Sequence, residues 1–207
     1  MGALLDVMFS MIMGGMLLLN VIRAQELVYE NTSEYQGDVL VQEMLITQVQ
    51  YLEGEIRNMG YGVEGGVCAV VFANDSTISF MIDADRNGII DTVQYSVGPV
   101  SELSRTENEM DRFLKRTMRT PTSSITSNVG VVTFFHFRYY AVTGDTLASP
   151  VSAGDLGRIN EVEVNMEVQN PWALYRPPGM VSAGERNALY STSYWQQTRL
   201  ASQNFRR

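Results

Sequence analysis

The stretch ALLDVMFSMIMGGMLLLNVI, residues 3–22, decides the architecture of this chain. Only Asp6, Ser10 and Asn20 are clearly polar within it. A helix of about 20 residues rises about 30 Å, which matches the hydrocarbon core of a bilayer. The sequence therefore predicts an apolar helix of membrane length as a first unit, over residues 1–25.

Two ordinary explanations of this stretch are a signal peptide and a simple membrane anchor. A signal peptide fits poorly, because no basic residue precedes the apolar run and no small-x-small cleavage site closes it. A simple anchor fits the length, but it needs neither Asp6 nor the Gly14-Gly15 pair. A carboxylate costs about 2.5–3.5 kcal/mol at mid-bilayer, and less near a helix end, where Asp6 lies. We interpret Asp6 as the partner of an α-amino group on a neighbouring chain.

The glycine pair is the second unusual feature of the apolar run. Each glycine inside a helix costs about 1 kcal/mol relative to alanine. A pair in mid-span is a place where the helix can bend or melt. It is equally a place where a second helix can pack closely. The sequence therefore predicts at Gly14-Gly15 either a bend in the helix or close contact with a second helix.

An amphipathic helix is predicted beyond the apolar run. Gly37 can end one helical stretch and Asp38 can cap the next. Apolar residues then recur at steps of three and four, which is a one-sided helical stripe: Val41, Leu45, Val49, Leu52, Ile56 and Met59. We predict one helix from about residue 3 to about residue 59, with breaks possible at Gly14-Gly15 or Gly37. The stripe is expected to pack on a sheet.

After Gly62 the apolar period changes from 3.6 to 2, which is typical of strands. Five β-prone segments follow, at 67–72, 77–82, 89–97, 131–140 and 159–169, with a last candidate at 189–200. In 159–169 the apolar residues Val162, Val164, Met166 and Val168 alternate with Glu161, Glu163, Asn165 and Glu167, which predicts an antiparallel strand with one wet face. Residues 101–124 predict a short strand and a helical turn, and 144–158 and 170–187 predict long loops. The fold class is therefore α+β, with a globular head over residues 26–207.

Composition excludes several classes of function. The net charge is -8, with 15 Lys+Arg against 23 Asp+Glu, so a nucleic-acid partner is not expected. A single cysteine and a single histidine exclude an intrachain disulfide and sites built on several Cys or His residues. We expect Cys68 to be a small buried residue and His136 to be an ordinary sheet residue. No nucleophile elbow or phosphate-binding loop occurs, so an enzyme is not expected.

One loop has the spacing of a calcium site. Residues 83–91 read DADRNGIID and match the first nine positions of an EF-hand loop, including its turn glycine, Gly88. The expected ligands are the side chains of Asp83, Asp85, Asn87 and Asp91 and the carbonyl of Ile89. Position 12 is Gln94 instead of glutamate, and the flanks are β-prone. A plain hairpin turn explains the same residues, because turns favour Asp, Asn and Gly.

The whole arrangement resembles the type IV pilin and type II secretion pseudopilin superfamily, and within it the PilW-like minor pilins. Leu4-Leu5-Asp6-Val7 resembles the family's Leu-Ile-Glu-Val, and Asp6 falls at the family's fifth position if the mature chain begins at Gly2. Further blocks, in the family's order, are Glu55–Gly62, Phe80–Tyr95, 125–129 followed by 135–140 and Gly144, and 161–168 with the C-terminal 198–206. The tyrosines Tyr190 and Tyr194 with Trp195 suggest a core or subunit interface, or an adhesive surface.

The resemblance implies a fold and a function. The fold is a long N-terminal helix, half apolar and half amphipathic, packed on an antiparallel sheet. The function is a structural subunit of a type IV pilus-like extracellular filament, with Gly2, Asp6, Gly14 and Gly15 as assembly residues. Prepilin peptidase, an inner-membrane assembly platform and other pilins are the implied partners, and the chain would move from the inner membrane to the filament. The alternatives are a minor pseudopilin of type II secretion and a membrane-tethered domain that binds a ligand or calcium.

Overall fold

One helix, α1 (Gly2–Arg57), forms the N-terminal part of the structure, a computed structural model that describes residues 2–104, 106, 108–170, 193–202 and 204. The chain divides into two compact units, Met1–Val39 and Leu40–Arg207. Helix α1 continues without a break through Gly14-Gly15 and Gly37. The breaks that those glycines allowed are therefore absent, because a glycine costs only about 1 kcal/mol in a helix whose flanking residues maintain the hydrogen-bond ladder.

The end of α1 is fixed by glycines in the left-handed region. Gly60 and Gly62 have φ values of 80° and 79°, which favour glycine. The turn is held to the sheet by two backbone bonds, in which Gly60 N–H donates to the Met81 carbonyl and Asp83 N–H donates to the Tyr61 carbonyl, both at 2.9 Å. A Cβ on Gly62 would lie 2.8 Å from the Cβ of Asp83. The Gly60–Gly62 turn therefore needs its glycines both for their conformation and for space.

Within the described residues, nine strands in two antiparallel sheets follow the helix. Sheet 1 has the order β1-β2-β3-β4-β5, and sheet 2 has the order β7-β6-β8-β9. The strands are β1 (Val70–Ala73), β2 (Thr77–Ile82), β3 (Asp91–Val97), β4 (Arg112–Arg119), β5 (Ser124–Val132), β6 (Phe134–Ala141), β7 (Thr146–Leu147), β8 (Ile159–Gln169) and β9 (Ser193–Ala201). Short 3-10 turns lie at Val100–Leu103 and Leu156–Arg158. The predicted α+β class, with a long helix followed by antiparallel strands, is confirmed.

The β-prone run at 131–140 is two strands and not one. Val131 and Val132 end β5 in sheet 1, and Phe134 begins β6 in sheet 2. Between them Thr133 N–H donates to the Glu167 carbonyl at 3.0 Å, so the chain passes from one sheet to the other at a single residue. The sequence shows no turn signal there, because one residue is enough to redirect a strand between two packed sheets.

The predicted stripe of α1 is the centre of the core. All six of its members, Val41, Leu45, Val49, Leu52, Ile56 and Met59, are buried. They join one hydrophobic cluster with residues of sheet 1, such as Phe80 and Leu114, and of sheet 2, such as Met166 and Leu200. The prediction that this stripe packs on a sheet is confirmed, with both sheets contributing.

Two polar contacts fix the helix to sheet 1. Gln48, which lies off the apolar stripe but is buried, donates through Nε2 to the Val131 carbonyl at 3.1 Å. Two helical turns later, the two oxygens of the Glu55 carboxylate accept hydrogen bonds from Arg116 Nε and Nη2 at 2.7–3.0 Å. The same carboxylate accepts a hydrogen bond from the Tyr95 hydroxyl at 2.5 Å. Burial and the neighbouring Glu55 carboxylate raise the pKa of Tyr95 far above its usual range. Glu55 therefore links two strands to the helix as a charged acceptor.

Candidate assembly surface

The apolar part of α1 exposes its side chains along its whole length. Fourteen large apolar side chains between Leu4 and Ile22 are 41–75% exposed. Patches of this extent are rare on soluble monomers and mark contact with a membrane or with other chains. Helix α1 is long enough and apolar enough to cross a membrane. Signal sequences near an N-terminus meet the same criteria of length and composition.

The polar groups of this segment differ in how they are satisfied. The Ser10 hydroxyl lies 2.9 Å from the carbonyl oxygens of Asp6 and Val7, so the helix itself accepts its hydrogen bond. The Asp6 carboxylate is exposed and has no ion-pair partner among the described residues. Asp6 is therefore the group that would need a counter-charge from outside if the segment left water.

The Gly14-Gly15 pair faces open space in the described part of the chain. A Cβ built on Gly14, Gly15 or Gly2 would meet no heavy atom within 4 Å. Packing against the described residues therefore does not require glycine at these positions. Close approach of another helix remains the physical use of a small-residue pair.

The 83–91 loop is a hydrogen-bonded turn in this structure. Asp83 accepts bonds from the N–H groups of Asn87 and Gly88, both at 3.0 Å. The Asp85 carboxylate accepts from both the backbone and the side-chain nitrogen of Asn87, and Asn87 Oδ1 accepts from Ile89 N–H at 2.7 Å. Arg86 and Gly88 both have positive φ, which closes the turn. The side-chain oxygens thus satisfy the loop's own donors.

The fourth predicted side-chain ligand, Asp91, faces the core. It lies on β3 with the buried Val93 and Tyr95, opposite Ile82 of β2. Both of its carboxylate oxygens are buried without a hydrogen-bond partner among the described residues. Within the described part of the chain, no three His, Cys, Asp or Glu residues are grouped so that they could hold a metal ion. Calcium binding at 83–91 stays a prediction.

Sequence reasoning missed a charged cluster on sheet 2. Glu163 was expected on the wet face of β8, but it is fully buried. Its register partners are Arg138 on β6 and Arg199 on β9. Arg199 Nε donates to it at 2.9 Å, the Tyr140 hydroxyl at 3.0 Å and Asn165 Nδ2 at 3.1 Å.

The hydrogen bonds of this cluster stabilise the charged form of Glu163. Burial by itself would raise the pKa of Glu163, but donors from Asn165, Arg199 and Gln197 lower it to about 2. The Arg199 guanidinium also lies 4.2 Å from the centre of the Tyr140 ring. Half-exposed arginines therefore cover the carboxylate, which alternation along one strand could not reveal.

Several smaller predictions have mixed outcomes. Cys68 is exposed and not buried, because β1 begins only at Val70; it lies at a cleft of about 410 Å³ formed largely by the Gly60–Ala69 loop. His136 is an ordinary sheet residue that stacks on Phe134, with ring centres 6.3 Å apart. Tyr194 packs against the core and accepts a bond from Gln42. Tyr190 and the side chain of Trp195 lie outside the described residues.

Comparisons with known proteins add one structural neighbour. No protein-family model matches the chain, and no curated protein is significantly similar to it. Among solved structures, the chain is similar to a type IV-like pilin from Thermus thermophilus, with a TM-score of 0.48 and 14% sequence identity. The match covers 79% of this chain and 97% of that one.

The order of the elements in the structure is the one that the sequence predicts. One long N-terminal helix is followed by antiparallel strands, and the second half of the helix packs on both sheets.

Proposed function

We propose that this chain is a structural subunit of a type IV pilus-like filament and that it polymerises through the apolar half of α1. The observation that supports this most directly is the helix itself. Fourteen exposed apolar side chains lie on one unbroken segment, which also contains a carboxylate without an ion pair among the described residues and two glycines at which a Cβ would face open space there. Helices of several copies would cover the apolar side chains together and would approach closely at Gly14-Gly15.

In this proposal Asp6 pairs with the α-amino group of a neighbouring subunit. The mature chain would begin at Gly2, after cleavage by prepilin peptidase. The subunit would wait in the inner membrane and pass through an assembly platform into an extracellular filament, alone or with other pilins. A pseudopilus of type II secretion is one form of such a filament. A membrane-tethered domain that never polymerises is the competing function.

Substitution at Asp6 tests the proposal. Asp6→Ala would leave a neighbour's amine without its counter-charge in an apolar interior, which costs about 3–5 kcal/mol. We expect far fewer filaments in the sheared fraction, with unchanged levels of the subunit in the membrane. Asp6→Glu keeps the charge and should retain assembly. Glu64→Ala, which removes an exposed carboxylate of the globular unit, is the matched control.

The outcomes separate the two functions. Loss of filaments in Asp6→Ala, but not in Asp6→Glu or Glu64→Ala, supports assembly through the helix. Normal filaments in Asp6→Ala would reject the pairing. An absence of filaments in the unchanged protein, with all of the chain in the membrane, would favour the tethered domain.

A further inference from the structure

Basic side chains are concentrated on one strand of this acidic protein. The chain has 15 Lys+Arg against 23 Asp+Glu. Strand β4, with the sequence RFLKRTMR, contains Arg112, Lys115, Arg116 and Arg119 and no acidic residue. Strand β4 lies beside the edge strand β5 of sheet 1.

Only part of this positive charge is neutralised within the chain. Arg116 points to the helix and binds Glu55 at 2.7 Å. Lys115 lies on the opposite face of β4 and binds Glu102 at 2.6 Å. Arg119 is exposed, and no carboxylate of the described residues lies within ion-pair distance of it.

On β3, β4 and β5, the face that holds Lys115 and Arg119 has no acidic residue. Glu102 of the Val100–Leu103 turn pairs with Lys115, so Arg119 is the cation of this face that has no ion pair among the described residues. Opposite residues of paired strands share a face, so the register places the two cations with Thr117 between them. Their neighbours on that face have short uncharged polar side chains: Thr92, Gln94 and Ser96 on β3 and Ser124, Thr126 and Asn128 on β5. We call these nine residues the basic face.

Among the described strands, the basic face ends at the edge strand β5. Residues 124–128 of β5 are all exposed, and the strand has neither charge nor proline. Natural proteins usually protect such edges with lysine, proline or a covering element. An edge left in this state is available for contact with another chain.

A complementary feature occurs on α1. Glu26, Glu30 and Glu34 are four residues apart, so the three positions lie on one face of the helix. Like charges at this spacing destabilise a helix by about 0.2–0.5 kcal/mol per pair. We call these three residues the acidic stripe. A cationic partner would remove this repulsion.

The two surfaces match in length. From Glu26 to Glu34 the helix rises about 12 Å, at about 1.5 Å per residue. From Lys115 to Arg119 the strand extends about 14 Å, at about 3.4 Å per residue. We propose that the acidic stripe of one subunit docks on the basic face of a second copy of this chain. The proposal rests on the proposed function, because only an assembly brings two copies together.

Such contacts would select the register between subunits more than they would hold the filament together. Exposed ion pairs contribute about 0–1 kcal/mol each and are screened by salt. Placing like charges opposite each other costs more, several kcal/mol. The apolar segment then provides the affinity, and the charged surfaces exclude wrong arrangements.

Charge reversal in the full-length chain tests the proposal. We expect Arg119→Glu and Glu30→Lys each to lower the yield of sheared filaments about tenfold, which corresponds to about 1.4 kcal/mol. The double variant Arg119→Glu with Glu30→Lys restores opposite charges between copies, so it should recover most of the yield. Arg112→Glu makes the same charge change on the same strand but outside the basic face, and should leave the yield unchanged.

Two controls accompany these variants, the melting temperature of each variant and the filament yield of the unchanged protein. The melting temperature of each variant in detergent should stay within a few degrees of that of the unchanged protein. Filaments from the unchanged chain, together with normal yields from Arg119→Glu, would overturn the docking proposal alone. A double variant no better than either single variant would also overturn it. If the unchanged chain forms no filaments, the proposed function itself fails.

Discussion

The carboxylate of Glu163 has no access to water, yet it remains charged because Tyr140 and Arg199 of the two neighbouring strands and Asn165 of its own strand donate hydrogen bonds to it. We expect Glu163→Gln to lower the free energy of unfolding at pH 7. A shift from 4.5 to about 2 corresponds to about 3 kcal/mol. Water around the half-exposed arginines reduces this, so we expect about 2 kcal/mol, measured by urea denaturation.

The pH dependence of the same variant supplies a second measurement. The pKa of Glu163 is lower in the folded chain, so the unfolded chain binds more protons between pH 4.5 and about 2. The stability that Glu163 contributes is present above pH 4.5 and is lost as the pH falls toward 2. Glu163→Gln should flatten the stability profile in this window. An unchanged profile would mean that the cluster does not hold the charge.

Single residues also show where sequence reasoning stops. The alternation in 159–169 correctly predicts the strand and its buried apolar face. It wrongly predicts that the Glu163 side chain is exposed to water, because Arg138 and Arg199, which cover it, come from strands distant in sequence. Cys68 shows the reverse error, since an apolar neighbourhood suggested burial for a residue that precedes the strand.

At the scale of elements, helix α1 and strand β5 touch at one point that leaves no room for a side chain. A Cβ on Gly130 would lie 2.2–2.7 Å from atoms of the Gln48 side chain. Gln48 is buried and bonded to the Val131 carbonyl, so it cannot easily move aside. We expect Gly130→Ala to lower the free energy of unfolding by about 1–3 kcal/mol.

A double-mutant cycle isolates this contact. Gln48→Ala removes the obstructing side chain and should make Gly130→Ala much less costly in the double variant. Gly54→Ala is the control, because a Cβ there meets nothing within 4 Å. Additive effects of the two substitutions would show that the helix and β5 do not meet in this way.

The 83–91 loop is a second element with a specific expectation. If it binds calcium, the affinity should be weak, about 10⁻⁴–10⁻³ M, because position 12 lacks a glutamate. At 10 mM calcium the folded chain would then gain about 1.4–2.7 kcal/mol by mass action. The measurement is the melting temperature of the full-length protein in detergent, with calcium and with chelator.

Asp85→Ala provides the matched variant for this measurement. A rise in melting temperature that this variant abolishes would support a cation site. No rise in the unchanged protein would leave the plain turn as the explanation, in agreement with the loop's own hydrogen bonds.

Helix periodicity was the most informative property of the sequence at this scale. All six residues of the stripe from Val41 to Met59 are buried as predicted, because helical spacing depends only on local geometry. The division of the strands into two sheets was not predictable. The run at 131–140 is uniformly β-prone, and the change of sheet at Thr133 depends on which partners each half finds.

At the scale of the whole molecule, the described residues form an N-terminal helical segment whose apolar side chains are exposed and a globular unit with a packed core. The globular unit stabilises itself through a core shared by α1 and both sheets. The apolar segment has no such partner among the described residues, and its fourteen large apolar side chains stay exposed. Assembly of many copies would bury this segment and would bring the acidic stripe near other subunits.

Cryo-electron microscopy of filaments sheared from cells that express the unchanged chain tests this account most directly, with the subunit identified by mass. The account predicts filaments whose mass matches this chain and whose interior consists of packed helices that contain residues 3–22, with Asp6 near the first residue of a neighbour. Filaments built with residues 3–22 on the outside, or a chain that is recovered only as a single subunit in the membrane, would contradict it.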